Sequence, residues 1–179
     1  MLQDAKRALT GLIFPLAFAT YLIGCSDQRN VPDCSDVYKT RIDKHNFEVY
    51  DNGTALHRPT GLVVTQCAAG QRMVNFKCQG TALRYTWDEA MDFATEVREK
   101  TGEAWRLPER DEMPKILETK CINPAVNPFV FPGLEVANFW TASKGLHQDI
   151  FRCPVYTYQG RVFCRQARNI AQPFLLVKN

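Results

Sequence analysis

Hydrophobic and polar positions follow different periods along the chain, and each period predicts a different element. Residues 8–24, "ALTGLIFPLAFATYLIG", hold no charge at all. Residues 26–46 are polar and charged, with Pro32, and predict a tether with a strand or short helix near 37–42. Phe47, Val49 and Tyr50 then mark a strand, Asp51-Asn52-Gly53 a tight turn, and 61–67 a second strand. From Thr86 the period changes. Trp87, Ala90, Met91, Ala94 and Val97 share one helical face. Thr86 with Glu89 makes a capping box, and Gly102 stands where a C-cap belongs. A second helix is expected from about Pro108 or Glu109. Met113, Ile116 and Leu117 face the core there, and Pro114 is tolerated in its first turn. Pro124, Pro128 and Pro132 then impose an irregular loop carrying Phe129 and Phe131. Short strands are expected at 139–143, 150–158, 160–166 and 174–177. No repeat or low-complexity tract interrupts this order.

Lys6 and Arg7 precede the long apolar run, which reads as a secretory signal. It is short for a membrane span, and Pro15 interrupts it. Leu22-Ile23-Gly24-Cys25 resembles the bacterial lipobox, in which small residues precede a lipidated cysteine. That resemblance implies cleavage before Cys25, acylation of Cys25 and attachment to membrane lipid; a plain cleaved signal and an uncleaved anchor are the alternatives. Three regions follow: 1–24 a lipoprotein signal peptide, 25–46 a lipid-anchored tether, and 47–179 the folded domain. Fully extended, the tether reaches at most ~70 Å. Ser26 follows the cysteine rather than Asp, which by resemblance to lipoprotein sorting favours the outer membrane of a bacterial envelope. Its periplasmic or surface orientation stays open.

Composition adds one constraint. The chain has 179 residues, 45% hydrophobic and 23% charged, an ordinary globular balance with a net charge of +3. Seven cysteines is an odd number, and setting Cys25 aside leaves six. An even set in a secreted chain predicts a disulfide framework, with fifteen connectivities open in principle. Proximity favours Cys67 with Cys78 and Cys153 with Cys164, each flanking a turn-like stretch; Cys34 and Cys121 then pair by elimination. The cysteine spacings fit no zinc motif, and His45, His57 and His147 are scattered in expected loops, so no metal and no cofactor is expected.

Read in order, "TGLVVTQC", "CQG", "YTWDEAMDFA", "WRLPERDEM", "NPAVNPFVFPG" and "FWTAS" resemble the C-terminal domain family of the Legionella collagen-like adhesin, from about Phe47 to Val177. The resemblance implies an α+β, C-type-lectin-like fold. Two helices would pack on a small, twisted, mainly antiparallel sheet, here stapled by disulfides. "W-R-L-P" is also similar to a motif of formylglycine-generating enzymes, whose reactive cysteines and copper have no counterpart among cysteines that look paired. "TGLVV" lacks an aromatic common in the family. The tail "FLLVKN" lacks the family's repeated basic residues. Cys121, Cys153 and Cys164 look particular to this member.

Candidate chemistry is sparse. No Ser-His-Asp or Cys-His arrangement has supporting context, so the chain does not read as an enzyme. No calcium-lectin motif occurs. Trp87, Trp105 and Trp140 are expected in the core rather than as sugar-stacking rings, and Arg106 is expected in a structural ion pair. Residues 140–179 carry six basic residues, Lys144, Arg152, Arg161, Arg165, Arg168 and Lys178, against Asp149 alone. Arg152, Tyr156, Tyr158, Arg161 and Arg165 mix planar cations with aromatic rings and form the candidate binding patch, with a scattered solvated face as the alternative. Two functions remain. One is an anchored binding module for an anionic glycan, a polyanion or a protein. The other is a structural lipoprotein subunit of a larger envelope complex such as a secretion, pilus or motor assembly. Nucleic acid is not an expected partner outside the cytoplasm.

Overall fold

The computed structural model describes residues 31–40 and 46–179. The signal segment, Cys25 and His45 lie outside these residues. In chain order the elements are α1 (Cys34–Val37), β1 (Phe47–Val49), β2 (Thr54–His57), β3 (Leu62–Thr65), β4 (Arg72–Val74), β5 (Lys77–Gln79), α2 (Trp87–Thr101) and α3 (Met113–Ile116), followed by β6 (Asn138–Phe139), β7 (Phe151–Arg152), β8 (Val155–Tyr156), β9 (Arg161–Val162), β10 (Gln166–Ala167) and β11 (Val177–Lys178).

The central sheet runs β1-β2-β3-β11, all antiparallel. Its third strand is an unbroken apolar run because both faces are covered. Leu62 and Val64 enter one core with Phe47, Ala55, Val126, Val130, Phe131 and Val177. Val63 turns to the other core, built on Trp87, Ala90, Ala94, Trp105, Leu107, Trp140 and Phe174. Helix α2 thus covers one face, and the proline-rich loop with α3 covers the other. Around this core lie the β6-β8-β9 sheet and two two-stranded ribbons, β4-β5 and β7-β10. The architecture is α+β with small antiparallel sheets and three disulfides.

The expected details of α2 are present. Thr86 accepts a hydrogen bond from Glu89 N–H, the Glu89 carboxylate accepts from Thr86 N–H (2.8 Å), and Gly102 adopts φ +70° at the C-cap. All three expected disulfides form: Cys34–Cys121, Cys67–Cys78 and Cys153–Cys164.

Several expectations are corrected. The second helix is a single turn, Met113–Ile116, so among the described residues one long helix is present rather than two. Its hydrogen-bond ladder stops early because Leu117 is extended and Glu118 N–H bonds Ala125 O (2.8 Å), drawing the chain into the proline loop. The expected strand at 150–158 is split into β7 and β8 at Cys153-Pro154, where proline has no N–H for a ladder. The strand at 160–166 likewise divides into β9 and β10, and the short elements at 139–143 and 174–177 shrink to two residues each, β6 and β11. His57 is not in a loop. It ends β2 almost fully buried, its ring 4.9 Å from Phe47 and its Nδ1 2.8 Å from Thr60 Oγ1.

The segment expected as a tether is folded over part of its length. Cys34 N–H donates to Ile122 O (2.8 Å), Ile122 N–H donates to Pro32 O (3.0 Å), and Cys34 is bonded to Cys121. Tyr38 and the two cysteines form a buried cluster against which Phe129 packs. The short helix falls at Cys34–Val37 rather than near 37–42.

Candidate binding surface

The motifs that carry the family resemblance are structural. Tyr85 exchanges backbone hydrogen bonds with Gln172, Thr86 caps α2, and Trp87 and Trp140 each donate Nε1–H to a carbonyl, Thr141 O and Tyr85 O, at 2.8 Å. Thr60-Gly61-Leu62 makes the turn into β3, with Gly61 at φ +73°. In "WRLP", Trp105 and Leu107 are core, and Arg106 bridges β11 through its backbone while its guanidinium grips Glu112 at 2.7 and 2.8 Å. These hydrogen bonds raise the Arg106 pKa and hold the Glu112 carboxyl below its ordinary value. The three tryptophans are therefore buried, as expected, and unavailable for stacking on a sugar.

The candidate patch divides. Arg152 is only 2% exposed. Its guanidinium lies 4.1 Å from the Trp87 ring centroid and donates through Nη1 to Gln148 O and Phe151 O, while Nε–H has no partner. Burial pulls its pKa down from the usual arginine value. It cannot meet a ligand at the surface, so the patch loses Arg152. The residues around it are also partly neutralised: Arg168 pairs with Asp88 (3.4 Å), and Lys178 pairs with Glu103 and sits over the Trp105 ring. The charge asymmetry of the sequence thus includes cations already committed to acids and rings of α2 and the segment after it.

The other four patch residues come together. In the β6-β8-β9 sheet, Phe139, Val155 and Val162 are in register and face the core. Asn138, Tyr156 and Arg161 form the next row, on the outer face. Tyr158 stacks on Tyr156, ring centroids 6.0 Å apart at 26°. Along the edge strand and its continuation, exposed Arg161, Phe163 and Arg165 alternate with half-buried Val162 and Cys164. Among the described residues neither Arg161 nor Arg165 enters an ion pair. The disulfide Cys153–Cys164 and the Phe163 N–H bond to Pro154 O (3.2 Å) fix this hairpin at its open end. The result is a ridge of two tyrosines and two unpaired arginines around Phe163, which is 38% exposed. Phe163 was not a candidate in the sequence, although its alternation with Arg161 and Arg165 was a signal for it.

A concave feature lies elsewhere. A groove of about 990 Å³ opens between the β1–β2 turn, the β4–β5 hairpin and the proline loop, with Tyr50, Asp51, Met73, Phe76, Lys77 and Phe129 among its walls. Asn75 and Phe76 turn the β4–β5 hairpin at positive φ (49° and 62°), which presents Phe76 to solvent, 65% exposed. Among the described residues no three His, Cys, Asp or Glu side chains gather as a metal site, and no helix is long and apolar enough to cross a membrane.

No curated protein and no solved structure matches the chain. The family model of the Lcl C-terminal domain matches residues 53–177, the span from the β1–β2 turn to β11 that contains the motifs carrying the family resemblance. The chain belongs to the Lcl C-terminal domain family.

Proposed function

We propose that this protein is a lipoprotein of the bacterial cell envelope, held by acylated Cys25, most simply in the outer membrane. Its C-type-lectin-like domain is a non-enzymatic binding module, and its ligand is an anionic glycan or other polyanion. The observation that carries the reading is the exposed ridge Tyr156, Tyr158, Arg161, Phe163 and Arg165. Among the described residues its arginines enter no ion pair, Tyr156 stands in register with Arg161 across the ladder, and Tyr158 stacks on Tyr156. Guanidinium groups match sulfate, carboxylate and phosphate geometry, and flat rings stack on sugar faces. Membership of the Lcl C-terminal domain family supports a binding role. The experiment is retention on immobilised sulfated and carboxylated polysaccharides at low and high salt. Binding should weaken steeply with ionic strength. Arg161→Glu with Arg165→Glu should abolish it, and unchanged retention by that variant overturns the reading.

Phe163 supports a second reading. An exposed ring between two arginines also suits an interface with an apolar centre and charged rim. In that case the domain is a structural subunit of an envelope assembly, binding an acidic protein surface. Crosslinking in native envelopes would then recover that partner in fixed ratio, with little effect of salt.

A further inference from the structure

The folded length of the N-terminal segment changes how far the domain stands from its anchor. Among the described residues Pro32 is the first pinned to the body, through Ile122, and the Cys34–Cys121 bond locks that attachment. Six residues separate Cys25 from Pro32 in the sequence, seven Cα-to-Cα steps in all. Fully extended they reach about 25 Å, not the ~70 Å of an unfolded tether running to residue 46. A domain held so briefly keeps the surface around its clamp close to the bilayer.

The surface around the clamp is aromatic. Phe129 packs on the Cys34, Tyr38 and Cys121 cluster and also lines the groove, so the groove adjoins the clamp directly. Its rim carries Phe76, the most exposed ring among the described residues, and the exposed Tyr50, with Met73 and Val49 also in its walls. Val31 and Val37, on either side of Cys34, are exposed as well. Lys77 and Asp51 offset one another in charge, so contact there is apolar and aromatic rather than electrostatic. Such a rim suits the headgroup boundary of a bilayer, where a phenylalanine ring buries in the apolar layer and a tyrosine buries its ring while keeping its hydroxyl wet. The β8–β9 turn also touches the segment after Cys121, where Asn123 N–H donates to Tyr158 O (2.9 Å).

We infer that the groove framed by Tyr50, Phe76 and Phe129 is a membrane-docking surface that seats the domain on the lipid bilayer beside its own anchor. This rests on the acylation of Cys25. Docking there fixes the orientation of the domain and leaves the outward part of the arginine ridge free for ligand.

Full-length acylated protein in vesicles containing brominated phospholipid tests it by fluorescence. The native tryptophans are buried and out of contact with lipid, so they supply a constant background. Phe76→Trp and, as a second reporter, Tyr50→Trp place a ring on the groove rim. Arg98→Trp places one on the exposed side of α2, across the central sheet from the proline loop. The mass of the Cys25 peptide is measured on the same samples. With Cys25 acylated, the groove reporters should lose most of their added emission to bromine while Arg98→Trp keeps its own. Equal quenching at the three sites, or none at Phe76 and Tyr50, overturns the docking surface and leaves the lipoprotein reading standing; a groove occupied by a glycan or a protein gives this result. An unmodified Cys25 overturns both. If Phe76→Trp fails to fold, Tyr50→Trp decides alone.

Discussion

The guanidinium of Arg152 covers the indole ring of Trp87 at 4.1 Å, joining β7 to the first turn of α2. A cation with its stem buried against a ring contributes by packing as well as charge. This contact withdraws from solvent a residue whose place among tyrosines and arginines had marked it for ligand binding.

Arg152→Ala should therefore act on stability and not on binding. It leaves a void beside Trp87 and removes the donor to two carbonyls, Gln148 O and Phe151 O. The loss should be about 2–3 kcal/mol, read from the midpoint of urea unfolding. Retention of the still-folded fraction on a polyanion should match the unaltered protein. A selective loss of binding with stability intact would reverse this assignment.

The Arg106–Glu112 pair should make stability fall in acid. The Glu112 carboxyl is held below its ordinary value of 4.5, first by hydrogen bonds from the Arg106 side chain, with the Glu109 N–H adding to them against the opposing effect of burial. A depressed folded-state value contributes stability that is complete above the unfolded value and lost as pH falls through the folded one. Glu112→Gln should cost roughly 1–2 kcal/mol at neutral pH, since both partners are partly exposed. Its unfolding midpoint should also decline less than that of the unaltered protein as pH is lowered through 4.5 and below it.

The Cys34–Cys121 bond closes the longest loop of the three, with a sequence separation of 87. Cys34→Ser with Cys121→Ser should lower stability by about 4 kcal/mol on the chain-entropy account. Amide exchange at Cys34, Tyr38 and Ile122 positions should accelerate more than exchange in β3. Equal acceleration everywhere would mean that the N-terminal segment folds as one unit with the core.

Gly145 is required by close approach. A Cβ there would stand 2.4 Å from Cys164 O, a backbone atom fixed by the Cys153–Cys164 bond. Gly145→Ala should push the 144–151 loop off the hairpin that carries the arginine ridge. The expected cost is about 2 kcal/mol or more, with weakened polyanion retention as the ridge shifts. Thermal unfolding and retention on the same sample check both effects.

Much of the fold was legible because it is written in local signals. The capping box at Thr86 and Glu89, the α2 stripe and the two short-range disulfides depend on neighbours a few residues apart. The motifs "YTW" and "WRLP" identify the family because their side chains and backbone join distant elements of one core, as Trp140 Nε1 does at Tyr85 O. The arginine ridge was legible only in part. Sequence shows which residues are cationic or aromatic, and in a strand it shows which alternate. It does not show which cations are already satisfied. Arg168 and Lys178 find Asp88 and Glu103, and Arg152 finds Trp87, through contacts between residues far apart in the chain. The same holds for the groove, whose walls come from the β1–β2 turn, the β4–β5 hairpin and the proline loop. The sequence by itself determined the helix, its caps, the cysteine pairing and the family. Which charges face solvent, where the second helix stops and how the segment around Cys34 joins the body were settled only in three dimensions, because each depends on partners brought together when the chain closes on its core.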